Sequence, residues 1–370
     1  MDQDQTKNPT PIQGDILESI LSLIPLINLT QALHVSKEWR IAVSSSLLLN
    51  PPKPWFFIHY QNIRYPYAIS TSAYDSRSKD WIQIDRSAMA CVSALRSSHS
   101  SLLYMMSPAG LSFSSDPFHL KWVHADAGPL VWRSDPIVAL VAGKVIVAGG
   151  GCDFEDDPLA VEIYDSSTGL MELSEPMPAT LKDSAASTWL SVATDGHILY
   201  VMEKYTGMMH TFNPESDIWS RPHDISTYHN GFNSNITFSN GRLILIVLIG
   251  DMENAISLKL WSVNTKNFEK EEIGEMPSEM FDKMKIESFQ ITSINVYSAG
   301  NWIYIYNSSE LGDLYVCEIV NGGFRWTVEK VPVKNGRWKA MAITCSEVGI
   351  YDVDEAVKEE NWKYVTIKCG

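Results

Sequence analysis

Apolar positions along this chain follow two patterns that meet near residue 50. In residues 15–24, Ile16, Leu17, Ile20, Leu21 and Ile24 recur at helical spacing, with Glu18, Ser19 and Ser22 on the other side. Asp15 followed three residues later by Glu18 predicts a capping box at the start of this helix, and Pro25 predicts its end. A second helix is predicted from Asn28, with Leu29, Ala32, Leu33 and Ser36 on one stripe and Val35, Trp39, Ala42 and Val43 on another. Two apolar faces on a helical pair of about 35 residues are more than the pair can close on itself. Something else must cover the remaining face. After Pro51-Pro52-Lys53-Pro54, which favours extended polyproline geometry and marks a boundary, the pattern becomes short apolar runs punctuated by Gly, Asn, Asp and Pro. Helical spacing returns only around 277–285 and 354–360.

The strand-like part repeats. "AYDSRSKDW" (73–81), "IYDSSTGLM" (163–171) and "TFNPESDIW" (211–219) align without gaps. Each has an aromatic, then Asp or Asn, a polar turn, and a large apolar residue seven positions after the aromatic. Weaker copies are "FSSDPFHLKW" (113–122), "WSVNTKNF" (261–268) and "CEIVNGGFRW" (317–326). The closing positions Trp81, Trp122, Met171, Trp219, Phe268 and Trp326 lie 41, 49, 48, 49 and 58 residues apart. Upstream, a Gly leads a β run in "GKVIVAGGG" (143–151), "GHILYVME" (196–203), "GRLILIVLIG" (241–250) and "GNWIYIYN" (300–307). A repeating unit of four short strands predicts a β-propeller, whose radial closure leaves no long open edge. Gly149-Gly150 after a β run, with Tyr164-Asp165 and a Trp-like position downstream, resembles the kelch repeat, over roughly residues 55–370. Only one repeat keeps the double Gly, and Met or Phe replaces Trp in two. Six copies argue for six blades, with "IYDVDEAVKEENW" (350–362) a candidate seventh. The ring is expected to close by pairing C-terminal strands with residues 55–60, the closing strand being left open.

Residues 12–40, "IQGDILESILSLIPLINLTQALHVSKEWR", resemble the F-box, the motif that docks on the adaptor Skp1. Ile16, Leu17, Ile20, Leu21, Pro25, Leu29, Val35, Lys37 and Trp39 fall where that family has its apolar helix faces, its mid-motif Pro and its closing Val, Lys and Trp. Gln13, Ile24 and Ser36 depart from the family's usual Pro, Leu and Cys. The expected organisation is therefore a disordered tail (1–11), an F-box (12–50), a Pro-rich linker (51–54) and a kelch-like β-propeller (55–370). The fold class is mainly β, with a small all-α module in front. The resemblance implies a non-catalytic substrate receptor of an SCF-type ubiquitin ligase, bound to Skp1 and through it to a cullin, with a protein target on the propeller. At family level it also implies phenylpropanoid or flavonoid pathway enzymes as a target class. The alternative is a propeller scaffold or adaptor without ubiquitin transfer, its helices serving as a structural cap.

Charge and chemistry narrow this further. With 29 basic and 44 acidic residues the net charge is -15, which repels phosphate backbones and anionic lipid, so neither nucleic acid nor membrane is an expected partner. The longest apolar run, residues 243–249, is too short to span a bilayer. The N-terminus has no signal-peptide pattern, and the five scattered cysteines contain no C-x-x-C pair. Both point to the reducing cytoplasm or nucleus. No nucleotide-binding, zinc-protease or hydrolase motif occurs, and no cofactor or metal is expected. His119 and His124 lack the spacing and nearby carboxylates of a zinc site, and Glu155-Asp156-Asp157 reads as a solvated loop. Strand parity places loops 149–158, 176–188, 221–231 and 274–290 on one face, where Trp189 and Tyr228 are candidate target anchors.

Overall fold

A computed structural model describes residues 14–62, 68–86, 93–126, 128–151, 157–227, 230–286, 291–309, 312–334, 338–359 and 362–367. Residues 1–11, the expected tail, lie outside the described residues.

The front of the chain forms three helices where the pattern predicted two: α1 (Asp15–Ser22), α2 (Leu26–Ala32) and α3 (Lys37–Leu49). Asp15 is already inside the first turn of α1. Gly14 occupies the cap position and no side chain caps it, so the expected capping box does not form. Pro25 stands at the cap position of α2, which begins at Leu26, two residues before the predicted Asn28. The long second helix breaks at residues 33–36 because Ser36 turns extended and its Oγ accepts the Trp39 N–H at 3.3 Å, opening α3. The apolar period runs on through this break, which is why it reads as one helix.

Beyond the spacer the strands form six antiparallel sheets, the blades of a propeller. Blade 1 holds β1 (Trp55–Asn62), β2 (Ile69–Asp75) and β3 (Asp80–Arg86). Blade 2 holds β4 (Leu103–Ser107), β5 (Gly110–Ser114) and β6 (Val123–His124), with Arg96 bridging to Tyr104 at the inner edge. Blade 3 is β7 (Ile137–Val141), β8 (Lys144–Ala148), β9 (Val161–Asp165) and β10 (Leu170–Leu173). Blade 4 is β11 (Leu190–Thr194), β12 (Leu199–Glu203), β13 (Met208–Asn213) and β14 (Ile218–Trp219), with β15 (His223–Asp224) also on β13. Blade 5 is β16 (Gly231–Ser239), β17 (Arg242–Gly250), β18 (Ala255–Val263) and β19 (Lys270–Glu275), followed by α4 (Ser278–Ile286). Blade 6 is β20 (Ile294–Ala299), β21 (Trp302–Asn307), β22 (Asp313–Val320) and β23 (Gly323–Lys330).

Both ends of the last segment close the ring. Strand β24 (Trp338–Ser346) pairs with β1 as the innermost strand of blade 1, Trp55 opposite Ser346. Strand β25 (Trp362–Ile367) pairs with β3 on the outside, Trp362 opposite Arg86. Between them lies α5 (Ile350–Lys358), which buries Ile350, Val353 and Ala356 at helical spacing. Residues 350–362 therefore supply a helix and the start of β25, and make no seventh blade.

The repeat read from the sequence is a hairpin between third and fourth strands. Tyr74 and Trp81, Tyr164 and Met171, and Phe212 and Trp219 are direct cross-strand partners. The conserved spacing of seven is filled by a tight turn. Its leading Asp75, Asp165, Asn213 or Asn264 accepts the backbone N–H two residues on, at 2.8–2.9 Å. The double Gly has a steric cause: a Cβ on Gly149 would lie 2.4 Å from Ala185 O, and one on Gly150 2.6 Å from Ser134 O.

The core crosses the spacer. Leu17, Leu21, Leu26, Leu29 and Val43 of the helices share one buried cluster with Trp55, Phe57, Ile82 and Ile84 of blade 1, Phe118, Val353 of α5 and Trp362 of β25. The 51–54 stretch separates helices from strands in sequence only.

Candidate functional site

Turns joining first to second and third to fourth strands open on one face of a propeller; the other loops open on the opposite face. The helices sit on the first of these. Arg77, in the third-to-fourth turn of blade 1, is 8% exposed and inserts its guanidinium among main-chain carbonyls of the helical module. It donates to Ile24 O at 2.8 Å, Ser22 O at 2.9 Å, Leu21 O at 3.4 Å and Asn50 O at 3.1 Å. Carbonyls at the end of α1 have no partner within the helix, and Arg77 supplies one. Beneath it, fully buried Asp75 accepts the Arg77 N–H and the Ser78 hydroxyl, both at 2.9 Å, and the Leu26 N–H that opens α2. Burial pushes the Asp75 carboxyl above its ordinary range against the opposite pull of these donors. On the far side, His34 Nε2 lies 2.7 Å from Asp354 Oδ1 of α5, whose other oxygen accepts from Lys358 at 2.7 Å.

With its inner face held this way, the module turns an apolar face outward. Ile16, Ile20 and Leu23 lie on one stripe of α1 and are 68%, 43% and 81% exposed. Val35 follows in the α2–α3 turn, and Ile41, Leu48 and Leu49 are exposed on α3. Of the nine predicted Skp1 contacts, Ile16, Ile20, Val35 and Lys37 are exposed, and Pro25 and Trp39 are half-buried. Leu17, Leu21 and Leu29 are buried in the core shared with blade 1. Sequence reasoning missed Leu23, Ile41, Leu48 and Leu49. Leu23, seven residues after Ile16, and Leu48, seven after Ile41, carried the signal in their spacing.

The opposite face holds a cavity of about 440 Å³ near the axis of the ring. Residues from blades 2, 4, 5 and 6 line it, among them His99, Trp189, Lys204, Tyr205, Asn233 and Asn235. Trp189 is half exposed at the start of β11 and its ring centroid lies 5.8 Å from that of Tyr205, on the second-to-third loop of the same blade. The backbone ahead of Trp189 is fixed by Asp135, which accepts from the hydroxyls of Ser187 and Thr188 at 2.7 and 2.5 Å. Tyr228, the other predicted anchor, lies outside the described residues. Sequence reading missed the polar inner wall, because residues such as Asn233 sit in strands that read as ordinary core.

No protein-family model matches the chain. The F-box/kelch-repeat protein At1g23390 of Arabidopsis thaliana is 41% identical over 369 residues, spanning 94% of this chain and 92% of that protein. The chain belongs to the plant F-box/kelch-repeat family. Among solved structures, a chain of a nidogen–laminin complex is similar with a TM-score of 0.44 and 10% identity, over 79% of this chain and 98% of that one. YjhT is similar with a TM-score of 0.40 and 11% identity, over 67% and 83%. F-box/kelch-repeat proteins in general serve as substrate receptors of SCF-type ubiquitin ligases.

Within this F-box/kelch-repeat protein the histidines singled out from the sequence have protein partners of their own. His119 Nδ1 lies 2.8 Å from Asp116 Oδ2, a carboxylate the sequence reading overlooked, and its Nε2 lies 3.1 Å from Asp352 O. His124 Nδ1 lies 2.8 Å from Ser112 Oγ. Among the described residues no cluster of three His, Cys, Asp or Glu is placed to hold a metal. Glu155 and Asp156 of the acidic loop lie outside them. Cys317 and Cys345 are buried free thiols, and burial raises both well above the ordinary thiol range. Among the described residues no helix is long and apolar enough to cross a membrane.

Proposed function

We propose that this protein is the substrate-recognition subunit of an SCF (Skp1–cullin–F-box) ubiquitin ligase, acting in the cytoplasm or nucleus without chemistry of its own. Residues 12–50 dock Skp1, 51–54 join them to the ring, and 55–370 present a protein target through the opposite face, with Trp189 and Tyr228 among its anchors. The observation that carries this reading is the outward face of the helices. Ile16, Ile20, Leu23, Ile41 and Leu48 remain exposed on a module whose other side is already packed on blade 1. Burying each in a partner contributes about 1.5–3 kcal/mol, so a few suffice for a tight complex after the costs of association. Placing the docking helices and the target cavity on opposite faces lets both be occupied at once. A bound target then has a high effective concentration beside the ubiquitin-charged enzyme on the cullin. The family resemblance points to a phenylpropanoid or flavonoid pathway enzyme as the target class.

Co-expression with Skp1 tests this. The wild-type chain is expected to co-purify with Skp1 as a stable complex, and the double variant Ile16→Asp, Ile20→Asp to lose it while keeping its fold. A second reading is favoured by the core that runs unbroken from the helices into blade 1: a rigid propeller scaffold whose helices are a structural cap. Failure of the wild-type chain to capture Skp1 selects that reading.

A further inference from the structure

The axial cavity has chemistry that protein docking on its rim does not use. Its lining is dominated by hydroxyls and amides: Ser97, Ser98, Ser187, Thr188, Ser191 and Ser293, with Asn233, Asn235 and Asn295. Two lining side chains are more than nine-tenths buried and leave a polar atom without a hydrogen-bond partner among the described residues. These are His99, 7% exposed, at Nε2, and Asn233, fully buried, at Nδ2. The Asn233 carbonyl oxygen is already engaged, accepting from Asn235 Nδ2 at 3.1 Å and from the Ile294 N–H at 3.4 Å. That fixes which way the amide points and leaves its N–H₂ as the free donor. A buried donor or acceptor without a partner is costly, so such groups mark a place built to receive one.

Charge decides the class of ligand. Among the described lining residues there is no Asp or Glu to attract a cation. The one charged side chain, Lys204, donates one of its three N–H groups to the Thr188 carbonyl at 3.0 Å, and its charge is countered by the neighbouring Asp135 carboxylate. Burial pushes His99 down to about 4, so its imidazole is neutral at physiological pH and offers no charge to an anion. A carboxylate or phosphate would lose hydration here for little return. A hydroxyl both donates and accepts, and fits a neutral imidazole nitrogen beside an amide N–H₂. At the mouth, the half-exposed Trp189 and Tyr205 rings offer an apolar surface against which the C–H face of a sugar ring packs. The volume, about 440 Å³, is in the range of small-ligand pockets.

We propose that the axial cavity is a binding site for a small, uncharged, polyhydroxylated ligand of the sugar or glycoside class, held by Asn233 and His99 at its base and by Trp189 at its mouth. This goes beyond the ligase reading and does not depend on it. A bound glycoside would form part of the surface that a protein target meets.

The test uses the full-length chain with methyl β-D-glucopyranoside and cellobiose as neutral probes, and glucuronate and glucosamine as charged ones. Binding is followed by saturation-transfer NMR and by tryptophan fluorescence. A neutral probe is expected to saturate, with both charged probes weaker by about tenfold or more. Asn233→Leu and Trp189→Ala are each expected to weaken the neutral probe by about tenfold, Trp189→Ala remaining informative if the buried change impairs folding. The proposal is overturned if neither neutral probe saturates by about 50 mM, a limit far weaker than recognised ligand affinities. Equal binding of the charged probes, or folded variants that bind like wild type, overturns it as well. Skp1 capture by the unmodified chain, measured in parallel, separates this result from the fate of the ligase reading.

Discussion

Helix α1 and strand β17 are both dominated by large aliphatic residues, yet water meets them very differently. In β17 every residue from Leu243 to Leu248 is fully buried. In α1, Leu17 and Leu21 are buried while Ile16, Ile20 and the adjoining Leu23 stand in solvent. A blade strand lies between two neighbouring blades and buries both of its faces, so an uninterrupted apolar run is what its position requires. A helix docked on one side of a ring needs only one apolar stripe. The second stripe on α1 is thus surplus to this molecule's own folding, and that surplus is the mark of a partner. The polar cavity teaches the converse. There, the buried side chains of Asn233 and His99 keep polar atoms that the ring alone does not satisfy.

The contrast can be broken most forcefully at β17. Leu245→Ala is expected to destabilise the ring by about 2–5 kcal/mol, through lost burial and the cavity left between blades 4 and 5. Chemical denaturation checks this, and a change near zero would mean that the blades are not close-packed. Next in size is Arg77→Met, which removes the guanidinium donor from Ser22 O, Ile24 O and Asn50 O and leaves Ser22 O with Asn50 Nδ2. A loss of about 2–3 kcal/mol is expected, with faster hydrogen exchange in α1 than in β17. Uniform loosening of both would show that Arg77 does not act as the local clamp.

On the outward stripe the effect should pass from stability to binding. Leu23→Ala is expected to leave the unfolding free energy within about 0.5 kcal/mol, yet to weaken Skp1 binding by about tenfold. Calorimetry on the purified complex separates the two, and a stability loss without an affinity loss would assign Leu23 to the fold. The smallest effect concerns pH. Burial alone would raise the Asp354 carboxyl, but hydrogen bonds from Lys358 and His34 outweigh it and hold it below the ordinary carboxylate range. A depressed folded-state pKa gives stability that is complete above the unfolded value of about 3.9 and is lost as pH falls through the folded one. Acidification below about pH 4 should therefore loosen the α2–α5 contact by less than about 1 kcal/mol. Exchange of α5 amides reports this, and Asp354→Asn should remove the dependence.

Much of the molecule was legible because its rules are local. An aromatic and a large apolar residue seven positions apart, joined by an Asx turn, define a hairpin whatever surrounds them, so the Tyr164–Met171 unit could be recognised and the blades counted. The apolar spacing of residues 16–24 likewise announced α1, and the two stripes read from residue 28 onward announced an uncovered face. What spacing could not supply was the side on which each stripe would be used. Ile16 and Leu17 are adjacent and both aliphatic, and only the position of blade 1 sends Leu17 inward and leaves Ile16 outside. The break before α3, the closing of blade 1 by both β24 and β25, and the reach of Arg77 into the end of α1 join residues far apart in sequence. His99 and Asn233 come from different blades, and nothing near either one in the chain names the other. Local order follows from neighbours along the chain. Contacts between distant segments depend on how the closed ring packs, and there the tertiary structure alone decided.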